Sequence, residues 1–151
     1  MSIGSSLTLK RSKTVQLKTA RGRTASSQRW LRRQLNDPYV QEAQRLGYRS
    51  RSAFKLLQLD EKFGLLHKGQ RVVDLGAAPG GWSQVAANRV IQKTSGKIIG
   101  LDLLPIEPIP GVTLMQADFM SQGGLESLMK ICPDGIDLVI SDMAAPTTGH
   151  A

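Results

Sequence analysis

The stretch Val72-Val73-Asp74-Leu75-Gly76-Ala77-Ala78-Pro79-Gly80-Gly81-Trp82-Ser83 decides the fold. It reads as a short buried strand, a tight turn and the first turn of a helix. Val72 and Val73 are β-branched and favour extended backbone, and Gly76 lets the chain turn with positive φ. Pro79 disfavours helix at Ala78 and is expected to open the next helix itself, where a missing N–H costs nothing. Small residues fill the six positions Gly76 to Gly81, so a ligand can come close to the main chain. A cradle at the carboxyl end of a strand is where open α/β sheets bind nucleotides.

Downstream of this turn the pattern alternates between strand and helix. Strand 71–75 and the turn lead to a helix over about 80–92, then a strand over 97–102 and a third over 112–117. A short helix over 124–131 and a fourth strand over 137–142 complete the series. The order predicts an α/β fold with a parallel sheet and flanking helices. Strands two, three and four each run into an acid, so Asp102, Asp118 and Asp142 are expected at the same sheet edge as the cradle. In a nucleotide fold an acid at the position of Asp102 accepts hydrogen bonds from ribose hydroxyls; otherwise it is a solvated strand-end acid. Asp118 is placed to accept from the exocyclic amine of an adenine, or merely to cap the next segment. These features indicate a nucleoside ligand without separating a dinucleotide from S-adenosylmethionine. A pyrophosphate site needs backbone N–H groups aimed at phosphates, and Pro79 removes one. A sulfonium with a zwitterionic tail has no such need, which favours methyl transfer over the hydride transfer of a nicotinamide enzyme.

Upstream, the chain is strongly basic. Residues 1–70 carry 15 Lys/Arg against 4 Asp/Glu, whereas residues 71–151 carry 5 against 8, within an overall net charge of +8. Such asymmetry predicts a polyanionic partner, RNA or DNA, bound by one half while the other keeps a different ligand. Residues 1–25 read as a flexible basic arm and 26–70 as basic helices. Ser26 or Ser27 is expected to cap a helix whose packed side is Trp30, Leu31 and Leu35, with Arg29, Arg32 and Arg33 facing outward. Asp37-Pro38 reads as the cap and first position of a second helix ending near Gly47. Ser50 or Ser52 is expected to start a third that runs to Phe63, with Gly64 beyond it. Lys55 lies inside that helix among apolar residues, and on spacing alone it is a surface lysine whose stem packs against its neighbours.

Other classes are disfavoured. Cys132 is a single cysteine among apolar residues, expected to be a buried, inert thiol, and it rules out an internal disulfide framework. His67 and His150 lack partners at ligand spacing, so no metal site is expected. No apolar run approaches the ~20 residues that span a bilayer. The acid-free, Ser/Thr-rich start has the composition of a mitochondrial transit peptide, but a basic RNA-contacting arm in a bacterial cytoplasm is the favoured reading.

Taken together, Asp74-Leu-Gly-Ala-Ala-Pro-Gly-Gly-Trp82-Ser-Gln, Asp102-Leu-Leu-Pro, Gln-Ala-Asp118-Phe and Ser141-Asp142-Met-Ala resemble the FtsJ-like RNA 2′-O-ribose methyltransferases. The upstream Asp-Pro-Tyr-Val and Arg-Ser-Arg-Ser-Ala-Phe-Lys55-Leu segments are similar too, so the resemblance runs from about Ser26 to the end. It implies a Rossmann-like fold over residues 26–151 and methylation of a uridine in large-subunit ribosomal RNA. It implies Gly80, Trp82, Asp102, Asp118 and Asp142 around S-adenosylmethionine. Lys55 and Asp142 would be the first two members of a Lys-Asp-Lys-Glu catalytic set. Arg29, Arg32, Arg33, Arg49 and Arg51 would contact RNA phosphates. The same resemblance places the second lysine and the glutamate on strands after the fourth. The chain is therefore expected to be the amino-terminal part of such an enzyme, with only the first four strands. By itself it would be weakly stable and nearly inactive, with a non-catalytic RNA- and cofactor-binding role as the alternative. A monomer is favoured.

Overall fold

The computed structural model describes residues 25–143. The basic arm up to residue 24, the stretch after Met143 and His150 lie outside the described residues, as do the side chains of Trp30, Leu31 and Leu35. Nine elements follow in order: α1 (Ala25–Asn36), α2 (Pro38–Leu46), α3 (Ser52–Phe63), β1 (Arg71–Leu75), α4 (Gly81–Val90), β2 (Lys97–Asp102), β3 (Val112–Gln116), α5 (Gln122–Ile131) and β4 (Leu138–Ser141). The four strands are parallel in the order β3-β2-β1-β4. The chain thus steps outward from β1 through β2 to β3, then returns to the other side of β1. That reversal makes the gap between β1 and β4 the topological switch point, the crevice where open α/β sheets receive ligands.

Alternation along the strands divides the core between the two faces of the sheet. Val72, Ile98 and Ile140 pack with Leu56 of α3 and Val85, Ala86 and Val90 of α4. Val73 and Ile99 point the other way, onto Leu128 of α5 and Cys132, which is buried and free as expected. The outer edge of β4 carries no further strand among the described residues, and Val139 there is 54% exposed.

Local chemistry explains where expectation and structure agree and where they part. Asp37 caps α2, accepting from the backbone N–H groups of Tyr39 and Val40, with Pro38 first in the helix and Gly47 left-handed after it. α1 begins at Ala25, so Ser26 and Ser27 lie in its first turn and not before it. α3 starts at Ser52 and ends at Phe63 with Gly64 beyond it, as expected. It has no serine side-chain cap, because the Ser50 and Ser52 hydroxyls bond each other at 2.6 Å and Ser50 packs over Gly81. Pro79 does not open α4. The Ala78–Pro79 peptide is cis, Gly80 follows with φ 121°, and the helix starts only at Gly81. A left-handed Gly80 breaks the helical path, so the turn is two residues longer than expected.

Candidate active site

β1 and α4 build the cradle. Gly76 turns with φ 68°, and its N–H and that of Ala77 both donate to the carbonyl of Leu101 at the end of β2. This keeps the turn tight against the sheet. A methyl group placed on Gly76 would sit 2.3 Å from Cγ of Met143, and one on Gly80 2.5 Å from Cδ1 of Ile109. Only glycine lets Met143 and Ile109 pack this closely against the turn. Asp102 steadies the turn from the next strand: one carboxylate oxygen accepts from the N–H of Ala78 at 2.9 Å, the other from that of Leu104 at 3.0 Å. Each oxygen retains a further lone pair, enough to accept from ligand hydroxyls.

Asp118 stands one strand further out. Its backbone neighbour Ala117 donates to the Asp102 carbonyl, which brings the two acids to adjacent strand ends. Its side chain accepts from the N–H of Met120 at 2.9 Å and is exposed, so the capping arrangement is present and an oxygen still faces solvent.

On the other side of the cradle lies the pair the sequence had kept apart by 87 residues. Lys55 Nζ donates to Asp142 Oδ1 at 3.2 Å and lies 6.0 Å from the centre of the Trp82 ring. Trp82 is 7% exposed, its Nε1–H donating to the Ser52 carbonyl at 2.8 Å, so it forms the floor beneath the lysine. Two hollows meet at this pair. A small polar one of about 80 Å³ runs under the turn past Asp74, Gly76 and Trp82. A wider cleft of about 410 Å³ is lined by Tyr39, Arg51, Phe54, Lys55 and Gln58. Ser52 and Asp142 border both. The fold thus places a cation–carboxylate pair between the small hollow under the glycine turn and an open cleft.

Sequence reasoning gave no role to Asp74, which is 1% exposed in the middle of the site. Ser83 Oγ donates to it at 2.8 Å. Burial, with smaller contributions from the charges of Asp142 and Asp102, pushes its carboxyl up to about 7 against the Ser83 hydrogen bond. The available signal was an acid inside an otherwise apolar, β-branched run.

The expected RNA-contacting arginines divide. Arg29, Arg32 and Arg33 are exposed on α1. Arg51 instead pairs with Asp37, the α2 cap. The Arg49 guanidinium is turned inward onto the carbonyls of Pro79, Glu107 and Pro108. Both side chains are engaged within the protein, because carboxylate and carbonyl acceptors lie within reach of their helix-entry positions.

Curated proteins match this chain over most of its length. One from Xanthobacter autotrophicus, named Ribosomal RNA large subunit methyltransferase E, is 58% identical over 137 residues, covering 90% of this chain and 54% of that protein. The protein of the same name from Novosphingobium aromaticivorans is 60% identical over 134 residues, covering 89% and 59%. The chain therefore spans between half and three fifths of the length of these relatives. Among solved structures, a protein described as a ribosomal RNA methyltransferase from Plasmodium falciparum superposes with a TM-score of 0.58 at 35% identity, over 68% of this chain and 60% of that one. The FtsJ-like methyltransferase model matches residues 48–151, which include the cradle, Lys55 and all three strand-end acids, and the chain belongs to that family.

Proposed function

We propose that this chain is the donor-binding part of an enzyme that methylates a ribose 2′-hydroxyl in RNA, its substrate a uridine of large-subunit ribosomal RNA. The observation that carries this reading is the Lys55–Asp142 pair at the junction of the cradle and the cleft. Family membership implies a methyl donor of the S-adenosylmethionine type. The residues present suit it: the small residues Gly76, Ala77 and Ala78 line the hollow beside Asp142, and Asp102 offers free lone pairs at the adjacent strand end. Asp118 would accept from the base, Asp142 would border the reacting end, and Gly80 and Trp82 would shape the walls. When bound, the donor supplies an electrophilic methyl group.

The chain's own residues would orient the nucleophile. A target nucleotide in the cleft would lie between Tyr39 and Lys55. The Lys55 ammonium would donate to the ribose hydroxyl oxygen and stabilise the negative charge that grows as the proton leaves. Asp142 would hold that ammonium in place and offer an acceptor to the hydroxyl proton. Exposed arginines of α1 would meet phosphates, which positions the RNA without reading its sequence. The resemblance to bacterial ribosomal enzymes is what supports this target and a cytoplasmic setting.

The test is transfer of labelled methyl from S-adenosylmethionine to unmodified large ribosomal subunits by the full-length protein. Lys55→Ala and Asp142→Ala should each slow transfer by roughly a hundredfold or more, in the range of a lost acid–base or electrostatic contribution. Unchanged rates in both variants would remove these residues from the chemistry. Absence of transfer to ribosomal RNA, with donor binding intact, would move the substrate elsewhere.

A further inference from the structure

The loop from Leu103 to Gly111 closes one side of the cradle, and its composition leaves it poorly able to hold itself. Pro105, Pro108 and Pro110 lack N–H groups, so few backbone hydrogen bonds are available within it. Its fixing comes from outside. Arg49, between α2 and α3, donates through Nη1 to the Glu107 carbonyl at 2.5 Å and through Nη2 to the Pro108 carbonyl at 2.5 Å. Nη1 also reaches the carbonyl of Pro79, in the glycine turn, at 3.3 Å. A planar guanidinium can address neighbouring carbonyls in this way, whereas a lysine ammonium is a single point of charge.

Two further contacts make the arrangement rigid. The backbone N–H of Arg49 donates to Gln84 Oε1 at 2.9 Å, and Gln84 Nε2 donates back to the Gly47 carbonyl at 3.1 Å, so α4 fixes the origin of the arginine. Ile109, 6% exposed, is pressed into the space over Gly80 that a Cβ would fill. The turn and the loop are thereby joined twice, through the Arg49 guanidinium, which belongs to neither, and through Ile109 of the loop.

We infer that Arg49 is a positioning residue for the methyl donor: it fixes the loop after Asp102 against the glycine turn, and so governs donor affinity and not RNA affinity. The inference rests on the reading of the cradle as a methyl-donor site. It reverses the expectation that Arg49 binds RNA phosphate. A phosphate contact needs donors free to meet the backbone of the nucleic acid, and here they meet carbonyls of the protein itself.

Three measurements on the chain test this in wild type, Arg49→Gln and Arg49→Lys. Calorimetric titration with S-adenosylhomocysteine should show roughly tenfold weaker binding for Arg49→Gln, the effect of losing about one charge-assisted hydrogen bond. Arg49→Lys should recover part of that loss. Affinity for a ribosomal RNA fragment, and its salt dependence, should stay at the wild-type value in both. Hydrogen exchange without ligand should rise at Ile106, Glu107, Ile109 and Gly111, while the β1–β2 ladder stays protected. Weaker RNA binding with a shallower salt slope and unchanged donor affinity would overturn the inference in favour of a phosphate contact. A general loss of protection with both affinities falling together would overturn it in favour of plain fold stability. If wild type itself fails to bind S-adenosylhomocysteine, the functional reading fails, and the exchange pattern still decides whether Arg49 holds the loop.

Discussion

Asp74→Asn should make the protein more stable relative to wild type as pH rises, and the size of the effect can be worked out. Asp74 is 1% exposed, and its carboxyl is held at about 7 by burial, against 3.8 for an ordinary aspartate. Between those values the folded state keeps a proton that the unfolded state has released. Stability therefore falls as pH rises through this window and levels off above 7. From pH 5 to pH 8 about two units of the window are crossed, each worth about 1.4 kcal/mol, so the wild type loses roughly 2–3 kcal/mol from this group. Asparagine carries no charge and still offers Ser83 an oxygen acceptor. Urea unfolding of both proteins at pH 5 and pH 8 isolates the effect as a difference of differences, in which any steric cost of the amide cancels. The stability of Asp74→Asn relative to wild type should rise by roughly 2–3 kcal/mol between the two pH values. A difference that is the same at both would show that Asp74 is ionised throughout, and the argument from burial would fail.

Four further outcomes are expected. Gly96→Ala should cost roughly 1–3 kcal/mol by chemical denaturation, since Gly96 has φ 87° and a Cβ would lie 2.3 Å from the Val90 carbonyl oxygen. Gly47→Ala, at φ 80° with open space around it, should cost only about 1 kcal/mol; equal costs would argue against the backbone clash. Asp60→Ala should destabilise by about 2–3 kcal/mol, because Asp60 is 6% exposed, accepts from the N–H of Leu66 and pairs with Arg89 between α3 and α4. Denaturation at high and low salt checks it, and a loss under about half a kcal/mol would mean that water replaces the carboxylate. On the proposed function, the Tyr39 ring, 41% exposed at the edge of the cleft, stacks on a base, so Tyr39→Leu should raise the KM for RNA by about tenfold and Tyr39→Phe should restore it. Leucine performing as well as tyrosine would refute stacking.

Features fixed by neighbouring residues were legible in the sequence. Asp37-Pro38 and Gly47 announce both ends of α2, and the structure has them there because capping and left-handed backbone need only local atoms. The strand-end acids were legible for a related reason: a β-branched run followed by an acid has one way to sit in a parallel sheet. Pro79 was misread because helix entry depended on Gly80, which has positive φ and lies against Ile109 and Arg49 from distant parts of the chain. The start of α3 at Ser52 and its end before Gly64 were legible too, whereas the bond between the Ser50 and Ser52 hydroxyls was not. Arg49 and Arg51 looked alike in sequence, but their partners lie 58 and 14 residues away, distances at which periodicity carries no information. Lys55 gained its significance in the same manner, from an acid 87 residues on. Asp74 escaped notice as a titrating group because burial is a property of the assembled sheet.

Pairing of β1 with β4 makes the placement of Asp142 beside Lys55 all-or-none. Leu75 and Ser141 are register partners, and Ser141 Oγ donates to the Leu75 carbonyl at 3.0 Å. A strand that slides along its neighbour must move by two residues, about 6.6 Å, to keep the same side chains facing the core. In the proposed reaction a methyl group would pass between atoms roughly 3–3.5 Å apart, a tolerance that no displaced register would meet. Length changes in the connection from Cys132 to Asp137 are absorbed outside the sheet, whereas losing even one residue from Leu138–Ser141 moves Asp142 by a whole step. The sheet thus acts as a graduated scale on which only one mark brings Lys55, Asp142 and the glycine turn together.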